Sequence, residues 1–121
     1  MKRILLVCLG IFSLATYGQV KQEIFESFKL QERRDVSYYF PEDYSEEKQY
    51  ALIVVLDAEY LFDITVANSK LYSRHGRMPE AIVVGVHQSE NDLRWDDCDF
   101  DQASGLPTEK GAAFYEFLGM E

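Results

Sequence analysis

Acyl transfer through a serine needs that serine on a sharp strand-to-helix turn, with a histidine within hydrogen-bond reach. Beyond residue 18 the serines are Ser27, Ser37, Ser45, Ser69, Ser73, Ser89 and Ser104. None is flanked by glycines two residues away on both sides, and Ser104-Gly105 falls in a polar loop rather than after an apolar strand. The histidines, His75 and His87, have no cysteine or carboxylate partners at metal-ligand spacing, so no metal site is expected and both read as structural or surface residues. Asp97, Asp99 and Asp101 alternate like the opening of a calcium loop. Gln102 and Thr108 stand where that loop needs glycine and a bidentate glutamate, so a solvated acidic loop is the expectation. Cys98 lies among acids and reads as a poor nucleophile. Arg94 carries a different chemistry, since its guanidinium can fork onto a carboxylate or an ester carbonyl. Asp92, Asp96 and Asp97 are the acids nearest to it in sequence, and pairing within that loop is expected. Trp95 is the best aromatic candidate beside it, whereas Tyr38 and Tyr39 read as packing residues.

Placing these residues requires the elements around them. The chain opens with Met1-Lys2-Arg3, then an uncharged apolar run of 12 residues from Ile4 to Ala15, then Thr16-Tyr17-Gly18. This is the pattern of a secretory signal peptide over residues 1–18, which implies a periplasmic or extracellular protein. Twelve residues span only about 18 Å as a helix, short of the ~30 Å hydrocarbon core, so stable membrane insertion is not expected. Cleavage before Gln19 removes Cys8 and leaves Cys98 alone, with no intramolecular disulfide to brace the fold. The whole chain has 121 residues, enough for one domain at most, and its 47% hydrophobic content is that of a packed protein. Its 12 basic residues against 21 acidic ones give a net charge of -9, which argues against nucleic acid and anionic membrane surfaces as partners.

Residues 24–34 (IFESFKLQERR) and 36–40 (VSYYF) read as strands, joined as a hairpin-like edge through Arg33, Arg34 and Asp35. Pro41 ends the second, and residues 42–49 form a charged turn. Residues 50–56 (YALIVVL) and 81–86 (AIVVGV) are continuous apolar runs, as expected of parallel strands buried on both faces. Between them, residues 61–75 form an amphipathic helix closed by His75-Gly76. Residues 87–107 are polar and loop-like, and Thr108 caps a last helix over 109–121 with Phe114, Phe117 and Leu118 inward. The fold class is therefore α/β, with an antiparallel edge pair followed by parallel strands and flanking helices. Two helices cannot cover both faces of such a sheet. Residues 19–121 are thus expected to be the front part of a longer domain, with exposed strand edges that a partner chain could fill.

Four segments in order carry a resemblance: LIVVLDAEYLFD, MPEAIVVGV, Arg94 followed by acids, and LPTEKGAAFYEFLGME. Together they resemble the esterase D and enterochelin esterase branch of the α/β-hydrolases, over roughly residues 24–121. The resemblance implies cleavage of a carboxylic ester or thioester of a small molecule through an acyl-serine, without metal or organic cofactor. It implies that the turn after Leu56-Asp57-Ala58 supplies a backbone N–H to the oxyanion hole, with Glu59 and Tyr60 as the candidates. Ala58 stands where the family has glycine, which would strain a turn needing positive φ there. The resemblance further implies that Arg94, with Asp97 as the matching acid, lines the substrate site, and Trp95 in the same loop is the aromatic candidate for substrate contact. It places the nucleophile elbow and the triad acid and histidine beyond Glu121, so this chain alone is expected to be inactive. The alternative is a non-catalytic binding or interaction module that keeps the esterase scaffold.

Overall fold

The computed structural model describes residues 19–88 and 93–121. The signal-peptide reading of residues 1–18 lies outside them, as do Ser89 and Asp92. Seven elements follow in order: β1 (Gln19–Ser27), β2 (Glu32–Phe40), β3 (Ala51–Val55), α1 (Ala58–Arg74), β4 (Ala81–Val86), α2 (Leu93–Asp97) and α3 (Glu109–Met120). The strands form one sheet in the order β1-β2-β4-β3. β1 pairs antiparallel with β2, β2 antiparallel with β4, and β3 parallel with β4. This is the expected α/β arrangement of an antiparallel pair leading into parallel strands.

Each face of the sheet receives one helix. On one side Phe62 and Ala58 of α1 pack on Tyr39, Val55 and Val83. Gly85 permits this approach: a Cβ there would lie 2.5 Å from Phe62 Cδ2 and 2.9 Å from the Ala58 Cβ. On the other side Phe114 and Phe117 of α3 pack on Val86, with Phe25, Leu30, Leu56 and Leu118 around them. Thr108 caps α3, its Oγ1 accepting from the Gly111 N–H at 3.4 Å. The cover on this second face stops short of β3. Leu52 and Val54 remain 65% and 43% exposed beside an apolar cavity of about 190 Å³ that Phe25, Tyr38 and Phe117 also line.

Three local expectations are corrected. The hairpin turns at residues 28–31, where Gln31 takes φ 54°, and not at Arg33, Arg34 and Asp35. Those three continue β2 and pair with Glu26, Phe25 and Ile24 of β1. Charge made them look like a turn, but Arg34 is 2% exposed because its charge is neutralised inside the fold. Helix α1 begins at Ala58, directly after the strand, and α2 forms within the segment read as loop.

Candidate functional site

The parallel strands β3 and β4 both end at one edge of the sheet, the side where ligands gather in open α/β folds. At the end of β3 the chain reverses into α1 through Asp57, which adopts left-handed φ 52°, ψ 46°. Such a conformation costs an L-residue about 1 kcal/mol, and aspartate is among the few that visit it routinely. The strain expected at Ala58 is thereby absent: Ala58 is the first residue of the helix, 4% exposed against Gly85. Asp57 holds the N-cap position, but its carboxylate does not cap the helix. It accepts instead from Arg94 Nη1, arriving from α2. Arg94 therefore bridges to the β3–α1 turn, while Asp96 accepts from Lys110 and Asp97 from Arg34; the Arg94 side chain remains 61% exposed.

The Asp57 carbonyl accepts the N–H groups of both Tyr60 (3.0 Å) and Leu61 (3.1 Å). Of the two backbone positions proposed as oxyanion donors, Tyr60 thus has its N–H engaged within the helix start, and its ring is 78% exposed. The Glu59 side chain turns toward β4: its Oε1 accepts from the Gln88 N–H at 2.5 Å and lies 3.9 Å from His87 Nδ1. On its other side His87 Nε2 lies 2.8 Å from Ser37 Oγ. Serine, histidine and carboxylate are thus in sequence, but Ser37 is 5% exposed in the middle of β2, in register with Gly85. It is a strand hydroxyl satisfied by an imidazole, not a residue raised on an elbow. A cavity of about 300 Å³ opens beside this pair, lined by Glu59, His87, Arg33, Asp35, Ile24 and Leu93 among others.

Asp97 does not face solvent. It is 3% exposed and accepts a two-pronged contact from Arg34, Nη1 to Oδ2 at 2.8 Å and Nη2 to Oδ1 at 2.6 Å. Glu32 Oε1 accepts from the remaining Arg34 donors at 2.9 and 2.5 Å. Burial works against the guanidinium charge, but Asp97 and Glu32 more than offset it, so Arg34 is held above its ordinary pKa. Gln88 completes the cluster, its Nε2 donating to Asp97 Oδ2 at 2.5 Å and its Oε1 accepting from the Asp57 N–H at 3.3 Å. Trp95 on α2 is 76% exposed.

The fold thus brings Arg94 and Glu59 to a single turn and links Asp97 to it through Gln88. Asp101 goes elsewhere, its carboxylate accepting from the Ser104 N–H and hydroxyl at 2.7 Å; those bonds lower its pKa. Among the described residues no group of three or more His, Cys, Asp or Glu could hold a metal ion, and no helix is long and apolar enough to cross a membrane. Sequence reasoning missed Arg34 and Gln88. The period-two alternation Arg34, Val36, Tyr38 was the available signal for the first, since it places Arg34 on an inward face. No local pattern marks Gln88.

A family model described as "Putative esterase" matches residues 27–119. Among solved structures, an uncharacterised protein from Capnocytophaga ochracea DSM 7271 is similar at 36% identity with a TM-score of 0.75, covering 85% of this chain and 28% of that one. An IroE-like serine hydrolase from Shewanella oneidensis is 22% identical with a TM-score of 0.63, over 87% of this chain and 36% of its own. The enterobactin esterase FES from Shigella flexneri, solved in the presence of enterobactin, is 19% identical with a TM-score of 0.59, over 85% and 24%. The chain therefore spans roughly a quarter to a third of the length of these structures. Comparison with curated proteins gives no match.

Proposed function

The chain belongs to the esterase family whose model it matches over residues 27–119, and from that premise we propose that it is the N-terminal part of an exported serine ester hydrolase. The complete enzyme cleaves a carboxylic ester or thioester of a small molecule through an acyl-serine, in the periplasm or outside the cell, without metal or organic cofactor. This part contributes the first strands, the β3–α1 turn and the loop bearing Arg94 and Trp95. The nucleophile, the triad acid and the base come from sequence following Glu121.

The observation that carries the reading is the turn at Asp57. A left-handed residue sends the chain from parallel strand β3 into α1, so the positive end of the helix lies at the carboxyl ends of the parallel strands, where this reading puts the oxyanion hole. Glu59 and Tyr60 are the backbone positions that the family resemblance assigns to the oxyanion role, and the Tyr60 N–H is bonded to the Asp57 carbonyl. Arg94 is anchored to the same turn, with an exposed side chain that a substrate carbonyl or carboxylate could share.

The test begins with the coding sequence after the Glu121 codon, where a G-x-S-x-G following an apolar strand is expected. The full-length product should then hydrolyse a nitrophenyl ester and lose that turnover to a serine-directed phosphonate, while the 121-residue chain alone is inactive. A full-length product with no phosphonate-sensitive turnover would overturn the proposal. The second reading, a non-catalytic module, draws on the sheet's open side. Among the described residues β3 pairs only with β4, and Leu52 and Val54 stand exposed beside an apolar cavity. A coding sequence that stops at Glu121, together with a chain that folds only when a partner is bound, would favour it.

A further inference from the structure

Resting on the esterase reading above, we infer that Gln88 is a positioning residue for the oxyanion turn, tying the Asp57 backbone to the buried Arg34–Asp97 pair. Gln88 lies two residues beyond the end of β4 and is 3% exposed. Three contacts fix it: Nε2 donates to Asp97 Oδ2 (2.5 Å), Oε1 accepts from the Asp57 N–H (3.3 Å), and its own N–H donates to Glu59 Oε1 (2.5 Å). The end of β4 and the β3–α1 turn therefore clamp one another reciprocally. A side chain of one holds a backbone group of the other in each direction.

The chemistry of the position selects an amide. The Asp57 N–H can only donate, and the two Asp97 oxygens already accept from Arg34. A side chain between them must present one acceptor and one donor, and the two partners also fix which way the amide faces. A glutamate would set a second carboxylate against Asp97, and a methionine would break the tie, leaving the Asp57 N–H without this acceptor and Asp97 with Arg34 alone. Asp57 has reason to be held, because its left-handed backbone would otherwise relax and carry Ala58 and Glu59 with it. The Arg94 contact to the Asp57 carboxylate is largely solvated and contributes little rigidity. The Gln88 contacts are buried and reach a bidentate ion pair seated between β2 and α2. A contiguous path thus runs from Glu32 through Arg34, Asp97 and Gln88 to the turn that would receive the oxyanion.

The test uses the full-length gene product carrying Gln88→Met, which keeps the length of the side chain, and Gln88→Glu, which keeps an acceptor but loses the donor. A displacement of about 1 Å in a catalytic donor can cost on the order of a hundredfold in rate. Both variants are therefore expected to lose about tenfold to a hundredfold in kcat on a nitrophenyl ester, with KM within about twofold of wild type. A role confined to stability would not produce that split. Amide hydrogen exchange at residues 57–60 should accelerate in both variants. A folded Gln88→Met protein with unchanged kcat, or unchanged exchange at Asp57 in either variant, would overturn the inference. Failure of the wild-type protein to turn over ester in a phosphonate-sensitive way strikes the esterase reading instead, and the exchange measurement still decides whether Gln88 holds the turn.

Discussion

Replacing Asp97 by leucine should destabilise the protein far more than its place in an acidic loop suggests. The side chains of Arg34 and Asp97 are 1% and 3% exposed, and the guanidinium meets the carboxylate through two bonds of 2.8 and 2.6 Å. Removing the acid leaves a buried cation whose remaining counter-charge, Glu32, is 41% exposed and therefore well solvated. Breaking one side of such a pair costs about 3–5 kcal/mol. Gln88 Nε2 loses its acceptor in the same step, at about 1 kcal/mol more. Glu32 returns part of this by staying in contact, so a net loss of about 4 kcal/mol is expected for Asp97→Leu. The double variant Arg34→Met, Asp97→Leu removes the stranded charge as well and should lie within about 1–2 kcal/mol of wild type. Arg34→Met alone also destabilises, by leaving Asp97 buried without its cation, so the two singles together exceed the double variant by a coupling energy of at least about 2 kcal/mol, read from urea unfolding of the full-length protein and its three variants. A single variant within about 1 kcal/mol of wild type, or a double variant as unstable as the two singles added together, would refute the claim that the pair is buried and mutually dependent.

Gly85→Ala inserts a methyl group 2.5 Å from Phe62 Cδ2 and should cost about 2 kcal/mol in urea unfolding, much of it recovered by adding Phe62→Leu. Gln31→Gly relieves a left-handed residue in the β1–β2 turn and should raise stability by about 0.5–1 kcal/mol; thermal melting that falls instead would show that the Gln31 side chain is needed. Glu121 accepts from Ser27 Oγ at 2.5 Å and from the Phe28 and Lys29 N–H groups, and these bonds, that of Ser27 foremost, lower its pKa. A depressed carboxylate stabilises above its unfolded-state pKa, and that contribution fades as pH falls through the folded value. Stability should therefore drop below about pH 4.5 more steeply in wild type than in Glu121→Gln, as measured by unfolding midpoints against pH.

The elements that bury apolar side chains were legible in the sequence. The uninterrupted runs at residues 50–56 and 81–86 read as strands, and they are the parallel pair β3 and β4; the expected burial on both faces fails for β3, whose Leu52 and Val54 stay exposed because α3 does not reach it. Thr108 was recognisable as the cap of the last helix because capping is a property of neighbouring residues. Phe114, Phe117 and Leu118 read correctly as its inward face for the same reason. Where a charge lies inside, local reasoning misplaced it. Arg33, Arg34 and Asp35 look like a turn until Asp97, 63 residues after Arg34, supplies the partner that lets the guanidinium be buried.

The sequence by itself determined the α/β class, the order of its principal elements and the apolar faces. These follow from side-chain periodicity and propensity, which are local quantities. That no G-x-S-x-G occurs within these 121 residues was equally a matter of reading. Tertiary structure alone decided what surrounds the candidate turn. It put the positive φ on Asp57 rather than Ala58, aimed Arg94 at that aspartate, and withdrew Asp97 into an ion pair with Arg34. It also made Gln88 the link between them. Each of those outcomes depends on groups brought together across the sheet, and the desolvation that gives such contacts their strength exists only once the chain has closed around them.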